Sequence, residues 1–175
     1  MAMNRTGMEI SMYDLRGFIR EVEKIVERHN LGKPGEYARW ITQDEKGSRN
    51  LGLIPYGTAN AVNILYTIGV LPERGERESL IKVLQGFQDK ETGLFTYPGN
   101  YETHTTAFVA AALNLLDEKP LYRAEAFRKY LDREALNTFM EEIDWAKNPW
   151  SGAHLGSGIY ASIMLTGTGS DEWED

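Results

Sequence analysis

Residues 88–116 read QDKETGLFTYPGNYETHTTAFVAAALNLL, and this stretch decides the fold. A loop rich in glycine and aromatic residues runs into a helix, predicted over residues 105–116, that is apolar on nearly every face. A helix that is apolar all round must be buried. The loop brings polar side chains to the N-terminal end of that helix, where backbone N–H groups have no partner within the helix. This arrangement predicts a binding or catalytic site at the N-terminal end of a buried helix.

Two other segments have the same apolar character. They cover residues 59–68, with Thr58 as the predicted N-cap, and residues 157–165. A long loop precedes each of them, at residues 42–56 and 144–155, and a short helical turn is predicted at residues 36–41. Amphipathic helices with apolar residues three and four positions apart precede these loops. They are predicted over residues 15–26, 76–87, 121–131 and 136–143, the last with Asp132 as its N-cap.

The order of these segments predicts an all-α fold of about three helical hairpins, each with an amphipathic outer helix and an apolar inner helix. Long loops gather at the N-terminal ends of the inner helices, so a functional cleft is expected on that face. Short motifs also recur, which indicates an internal repeat of one hairpin per unit. The recurring motifs are Gln43-Asp44 with Gly47 and Gln88-Asp89 with Gly93, then Thr58-Ala59, Thr106-Ala107 and Tyr160-Ala161.

Inner apolar helices ringed by amphipathic ones resemble the α/α toroid of six-hairpin glycosidases, polysaccharide lyases and terpenoid cyclases. The loop from Gln88 to Phe95 resembles the Gln-and-Trp repeat of terpenoid cyclases, with one extra residue and Phe95 in place of tryptophan. No DxDD or DDxxD cluster is present, so a cyclase site is not expected. The resemblance covers residues 51–165. It implies either the N-terminal half of a longer protein or a half-toroid that covers its open edge by forming a homo-oligomer.

Length and composition limit the class of protein. The 175 residues are expected to form one domain over residues 1–167, followed by an acidic tail over 168–175. A formal charge of -7 argues against nucleic-acid and anionic-membrane partners. The absence of cysteine excludes disulfides and thiolate metal sites. Since no signal peptide or membrane-spanning segment is evident, the protein is predicted to be cytoplasmic.

His104 is the main candidate for catalysis. It stands at the start of the central inner helix beside Tyr101 and Glu102, and imidazole titrates near neutral pH. A helix N-terminus also favours its neutral form. His154 and Tyr56 occupy comparable positions in the third and first units, so the three side chains are expected to converge if the helix ends share one cleft. The alternative is that His104 caps or packs against a neighbouring turn.

Several aromatic residues of the long loops are candidates for ligand binding. Stacking of such rings on sugars predicts a carbohydrate site, whereas their alternative role is to wedge the loops against the helices. They are Tyr56, Tyr97, Phe95, Trp145 and Trp150. Thr105 offers a hydroxyl at a helix N-terminus that can hold a carboxylate or phosphate, and ordinary N-capping explains it equally well.

Carboxylates near these residues suggest two further kinds of site. Glu102 with Asp144, or with Asp89, can form the acid and base pair of a glycosidase. His104 and His154 with Glu102 or Asp144 can also bind a divalent metal. The spacing matches no HxH or HExxH motif, so neither a metal nor another cofactor is predicted.

Together these features favour a carbohydrate-active enzyme module, a glycoside hydrolase or a polysaccharide lyase, that acts on an oligosaccharide or uronate chain. The competing hypothesis is a non-catalytic helical domain that binds a ligand or a protein, or that serves as the scaffold of a larger enzyme.

Overall fold

The computed structural model describes residues 13–41 and 52–169. Over these residues the protein is all-α, as the sequence predicts, and pairs of residues meet in β-bridges without forming a sheet. Although α4 and α6 are strongly apolar, none of the described helices has the length and apolarity needed to cross a membrane. The helices are α1 (Arg16–Glu27), α2 (Pro55–Thr67), α3 (Arg74–Gln85), α4 (Glu102–Leu115), a 3₁₀ helix (Glu125–Leu131), α5 (Arg133–Glu142) and α6 (Pro149–Leu165).

The three apolar helices lie side by side, with α4 between α2 and α6. The outer helix α1 packs on α2, and α3 packs on both α2 and α4. The 3₁₀ helix packs on α5 and α6 and completes the third hairpin. The division into inner and outer helices therefore follows the apolar pattern of the sequence.

The main core lies where α2, α3 and α4 meet. Val62, Leu84 and Leu113, one from each helix, are fully buried in it. Burying a side chain of this size stabilises the fold by about 1.5–3 kcal/mol. A second, smaller core joins the loop before α4 to the third hairpin and contains Leu94, Ala124, Phe127 and Ile159.

All three inner helices begin earlier than predicted, α4 by three residues, at Glu102 rather than residue 105. Helix α2 starts at Pro55 rather than residue 59, and α6 starts at Pro149 rather than residue 157. Proline suits the first helical position because it lacks the N–H that would have no partner there. The side chain of Asn148 caps α6 by accepting from the Ser151 N–H at 3.1 Å. The prediction of a loop over residues 144–155 is therefore wrong from residue 149 onward.

Thr58 is not the N-cap of α2, because it is the fourth residue of that helix. Its hydroxyl donates to the Gly35 carbonyl oxygen at 2.9 Å and accepts from the Tyr37 N–H at 3.3 Å. Tyr37 and Ala38 form isolated β-bridges, so the helical turn predicted at residues 36–41 is also wrong. These bonds hold the loop against the side of α2.

The third hairpin confirms one prediction and corrects another. Asp132 is the N-cap of α5, as predicted, and accepts from the Ala135 N–H at 2.9 Å. The amphipathic helix predicted over residues 121–131 is instead a 3₁₀ helix that begins at Glu125.

An internal repeat is visible in two sets of contacts, one of which involves the predicted counterparts Thr58 and Thr106. The β-bridge between Asn30 and Tyr37 has its counterpart 58 positions later (30 to 88, 37 to 95), between Gln88 and Phe95. Thr106, from the inner helix, bonds both backbone groups of Phe95, at 3.0 and 3.2 Å, much as Thr58 bonds the loop at Tyr37. The predicted counterpart of Gln88, at residues 43–47, lies outside the described residues.

The loop that resembles a cyclase repeat has a structural role in its first residue. The Gln88 amide donates to the carbonyl oxygens of Gly93 at 2.8 Å and Tyr122 at 2.6 Å, and its side-chain oxygen accepts from the Tyr122 N–H at 3.0 Å. Gln88 thereby fastens its own loop to the segment that leads into the third hairpin.

Two glycines of this loop share a backbone conformation that favours glycine, but only one of them also lies close to a neighbouring backbone. Gly93 and Gly99 both have positive φ, at 72° and 81°. A Cβ atom on Gly93 would lie 1.6 Å from the Arg123 carbonyl oxygen, whereas a Cβ atom on Gly99 would have open space. Gly93 is therefore required by both its backbone conformation and its surroundings.

We expect Gly99→Ala to lower the free energy of unfolding by about 1 kcal/mol and Gly93→Ala by roughly 3 kcal/mol or more. The first change introduces only strain, and the second adds an overlap with backbone. Urea unfolding of both variants measures the difference. Equal losses would contradict the close contact between Gly93 and Arg123.

Candidate functional site

Three side chains from the N-terminal parts of the inner helices lie together: Tyr56 in the first turn of α2, His104 in the first turn of α4 and His154 in the second turn of α6. The Tyr56 Oη atom lies 2.8 Å from His104 Nδ1, within hydrogen-bond distance. The ring centroids of His104 and His154 are 4.3 Å apart. The structure thus places in contact three side chains that the sequence spreads over 99 positions (56 to 154, inclusive). We call them the Tyr-His cluster.

Tyr56 is held from two sides. Its side chain is buried, with 3% exposure, and its hydroxyl lies 3.0 Å from Thr105 Oγ1 as well as beside His104. Burial raises the pKa of Tyr56, and the bond to Thr105 and the positive charge of Arg39 oppose that rise. The phenol is therefore neutral at physiological pH.

His104 is kept neutral by its surroundings. Burial lowers its pKa most, and the charges of His154 and Arg39 lower it further. A neutral imidazole has one ring nitrogen free to accept a proton. His104 is therefore in the protonation state that a general base requires.

Aromatic rings surround the cluster. The Tyr97 ring meets Tyr56 edge-on at 6.0 Å, and Phe108 lies 5.3 Å from Tyr56 and 5.8 Å from His104. Trp150 meets His154 edge-on at 5.0 Å and is 75% exposed. The exposed Trp150 ring and the partly exposed Tyr97 give the cluster an aromatic rim.

Sequence reasoning missed Arg39, which lies at this rim, and its neighbour Trp40. The Arg39 guanidinium lies 5.2 Å from the centroid of Tyr56 and 5.5 Å from that of Trp40. Arg39 and Trp40 are both exposed and lie in the loop before α2. The only available signal was an adjacent cation and aromatic residue in a long loop, which has no periodicity to set it apart.

Besides Tyr56, two more of the predicted ligand-binding residues are buried. Phe95 is fully buried in the main core, so a ligand cannot reach it, and it packs the loop against α4 instead. Thr105 is also fully buried, and its hydroxyl donates to the Tyr101 carbonyl oxygen at 3.1 Å. The prediction that Phe95 and Thr105 contact a ligand is corrected on these grounds. The Tyr101 side chain is exposed, three positions before His104 in sequence.

Trp145 wedges the last loop against α6. Its indole N–H donates to the Met140 carbonyl oxygen at 3.0 Å. A Cβ atom on either Gly152 or Gly156 would lie 3.0 Å from the Trp145 ring, so the ring covers the glycine face of the helix. Trp145 therefore has the alternative role considered for the loop aromatics, which is to wedge a loop against a helix.

Each of the candidate carboxylates has its own surroundings. Asp144 accepts from the Lys147 N–H and pairs with its ammonium group, both at 3.0 Å, and these bonds lower its pKa. Asp89 accepts from the N–H and hydroxyl of Thr92, both at 2.7 Å. Glu102 is exposed at the first position of α4. Over residues 13–41 and 52–169, no three His, Asp or Glu side chains are grouped so that they could hold a metal ion.

Comparisons with known proteins add nothing to this geometry: no protein-family model matches the sequence, and neither characterised proteins nor solved structures give a significant match. The chemistry of the site is therefore derived from its residues.

The lowered pKa of His104 predicts a loss of stability in acid. The unfolded chain has a histidine pKa of about 6.5, and the folded state has a lower one. As the pH falls below about 6.5, the unfolded chain binds the proton first, so unfolding becomes more favourable. The full contribution of neutral His104 to stability is present above that pH.

Thermal unfolding of the protein and of His104→Phe between pH 7.5 and pH 5 measures this effect. The phenyl ring keeps an aromatic contact and cannot bind a proton, so the variant should lose less stability on acidification. An NMR titration of the three histidines, with His104 assigned through the variant, gives its pKa directly. A value at or above 6.5 would contradict the described environment.

Proposed function

We propose that this protein is a carbohydrate-active enzyme module whose Tyr-His cluster performs acid–base chemistry on a sugar chain. The observation that supports the proposal best is the 2.8 Å contact between Tyr56 Oη and His104 Nδ1. A neutral histidine with one nitrogen engaged has the other available for proton transfer. Trp150 and Tyr97 beside the cluster provide rings on which sugars can stack.

Between the two reaction types, elimination fits the residues better than hydrolysis. Most glycoside hydrolases use two carboxyl groups about 5–10 Å apart. Here Asp144 and Asp89 are engaged by Lys147 and Thr92 in their own loops. The side chains that converge are instead histidines, a tyrosine and the Arg39 cation.

Elimination on a uronate chain needs three tasks, and the Tyr-His cluster together with Arg39 at its rim offers a residue for each. Arg39 can bind the substrate carboxylate and so acidify the neighbouring C–H group. His104 takes that proton while the adjacent C–O bond breaks and a C=C bond forms. His154 gives a proton to the departing oxygen, so one proton is taken and one is returned in each turnover.

The architecture gives weaker support. Three hairpins with loops gathered at the N-terminal ends of the inner helices are the arrangement that resembles half of an α/α toroid. Toroid-like folds carry many activities. This resemblance therefore supports a sugar substrate less strongly than the contacts of the Tyr-His cluster do.

A non-catalytic carbohydrate-binding domain is the second candidate. The observation in its favour is the 75% exposure of Trp150, since an aromatic ring presented to solvent is suited to stacking on sugar rings whether or not a reaction follows. This candidate requires no proton transfer by His104.

We expect His104→Ala to lower the rate of elimination by about a hundredfold or more, because the base is lost, while the variant remains folded at the assay temperature. The substrates are neutral and uronate polysaccharides. Ultraviolet absorbance reports the unsaturated product of elimination, and reducing ends without that absorbance report hydrolysis. The control is Asn114→Ala, an exposed position in α4 away from the cluster. Reducing ends formed without absorbance would overturn the choice of elimination.

Trp150→Ala should weaken binding of the same oligosaccharides by about tenfold, since one stacking ring is lost. Isothermal titration calorimetry measures the affinity. If binding depends on Trp150 but none of the polysaccharides is cleaved and His104→Ala binds normally, the non-catalytic candidate stands. If binding is unchanged, the aromatic rim is not the sugar-binding surface.

A further inference from the structure

The Tyr56 hydroxyl is the middle of a chain of three polar contacts. Tyr56 Oη lies 2.8 Å from His104 Nδ1 and 3.0 Å from Thr105 Oγ1. Thr105 Oγ1 in turn lies 3.1 Å from the Tyr101 carbonyl oxygen. We infer that Thr105, through Tyr56, fixes His104 in the tautomer that carries its proton on Nδ1 and leaves Nε2 free.

The number of available protons decides which atom donates in each of the three contacts. A carbonyl oxygen only accepts, so the contact between Thr105 and Tyr101 is a hydrogen bond only if Thr105 donates its single proton. Thr105 must then accept in its contact with Tyr56, and Tyr56 must donate its own single proton to Thr105. The Tyr56 oxygen is left to accept, and His104 Nδ1 must supply the proton.

The opposite direction satisfies fewer contacts. If Tyr56 donated to His104 Nδ1, Thr105 would donate to Tyr56, and no proton would remain for the 3.1 Å contact with Tyr101. Thr105 is fully buried and Tyr56 is 3% exposed, so solvent has little access to either hydroxyl. All three contacts are hydrogen bonds when donation runs from His104 towards Tyr101. Only two of them are when donation runs towards His104.

The His104 ring is also held by its neighbours. It is stacked on Phe108 at 5.8 Å with the planes 17° apart, and on Tyr56 at 5.8 Å with the planes 22° apart. The contacts therefore restrain the ring plane while the hydrogen bond selects the nitrogen that carries the proton.

This assignment gives Thr105 a new role. It is a positioning residue that acts through Tyr56, rather than the ligand-binding residue that the sequence predicts. The use of Nε2 as the base rests on the proposed function, whereas the tautomer itself is a property of the protein without substrate.

Nuclear magnetic resonance with ¹⁵N-labelled histidine tests the inference directly. At a pH where His104 is neutral, two-bond couplings to the ring protons identify each nitrogen. We expect Nδ1 to carry the proton in the natural protein and in Thr105→Ser, which keeps the hydroxyl. In Thr105→Val the Tyr56 proton is free to turn to His104, so a substantial share of Nε2–H tautomer should appear.

An Nε2–H tautomer in the natural protein, or a tautomer unchanged in Thr105→Val, would overturn the inference. If the valine variant does not fold, Tyr56→Phe takes its place. It removes the acceptor of the Nδ1 proton, and an unchanged tautomer there would equally refute the chain.

Activity provides a separate readout. If the proposed elimination occurs, Thr105→Val should lower kcat with little change in KM, and Thr105→Ser should restore it. An Nδ1–H tautomer that depends on Thr105, together with no turnover of any sugar chain, would uphold the inference and overturn the proposed function.

Discussion

The enclosure of α4 between α2 and α6 is the constraint on which the structure depends. An apolar helix needs cover on several sides, and here the cover requires close approach of two backbones. A Cβ atom on Gly158 of α6 would lie 2.8 Å from the Thr103 carbonyl carbon of α4. The Ser162 hydroxyl donates to the Thr103 carbonyl oxygen at 3.1 Å. A small residue and a buried hydroxyl thus let the middle of α6 approach the first turn of α4 closely.

The position of the candidate site follows from this packing. The inner helices run side by side and their long loops precede them. Their N-terminal parts therefore lie near one another, and the loops collect around them. Thr58 and Thr106 then fasten two of these loops to the inner helices through bonds to backbone groups. The Tyr-His cluster lies where the first turns of α2 and α4 meet the second turn of α6, so side chains distant in sequence form one local environment.

The electrostatics of the cluster are set by the same enclosure. Burial favours the neutral forms of both Tyr56 and His104, and the nearby Arg39 and His154 add to the effect on His104. A neutral histidine held between aromatic rings combines a restrained orientation with the capacity to accept a proton. This combination arises from packing rather than from a local sequence motif.

The sequence by itself determined the helical class, the apolar inner helices, and local features such as the Asp132 cap, because these depend on spacing and on neighbours a few positions away. The sequence did not predict the start of α6. Residues 149–158 are rich in glycine and serine, and they become helical where Trp145 and Met140 cover them. Only the tertiary structure separated the buried Phe95 from the exposed Trp150, and only it brought Arg39 to Tyr56. Burial and contacts between distant loops depend on how the hairpins pack, and no periodicity along the chain records that packing.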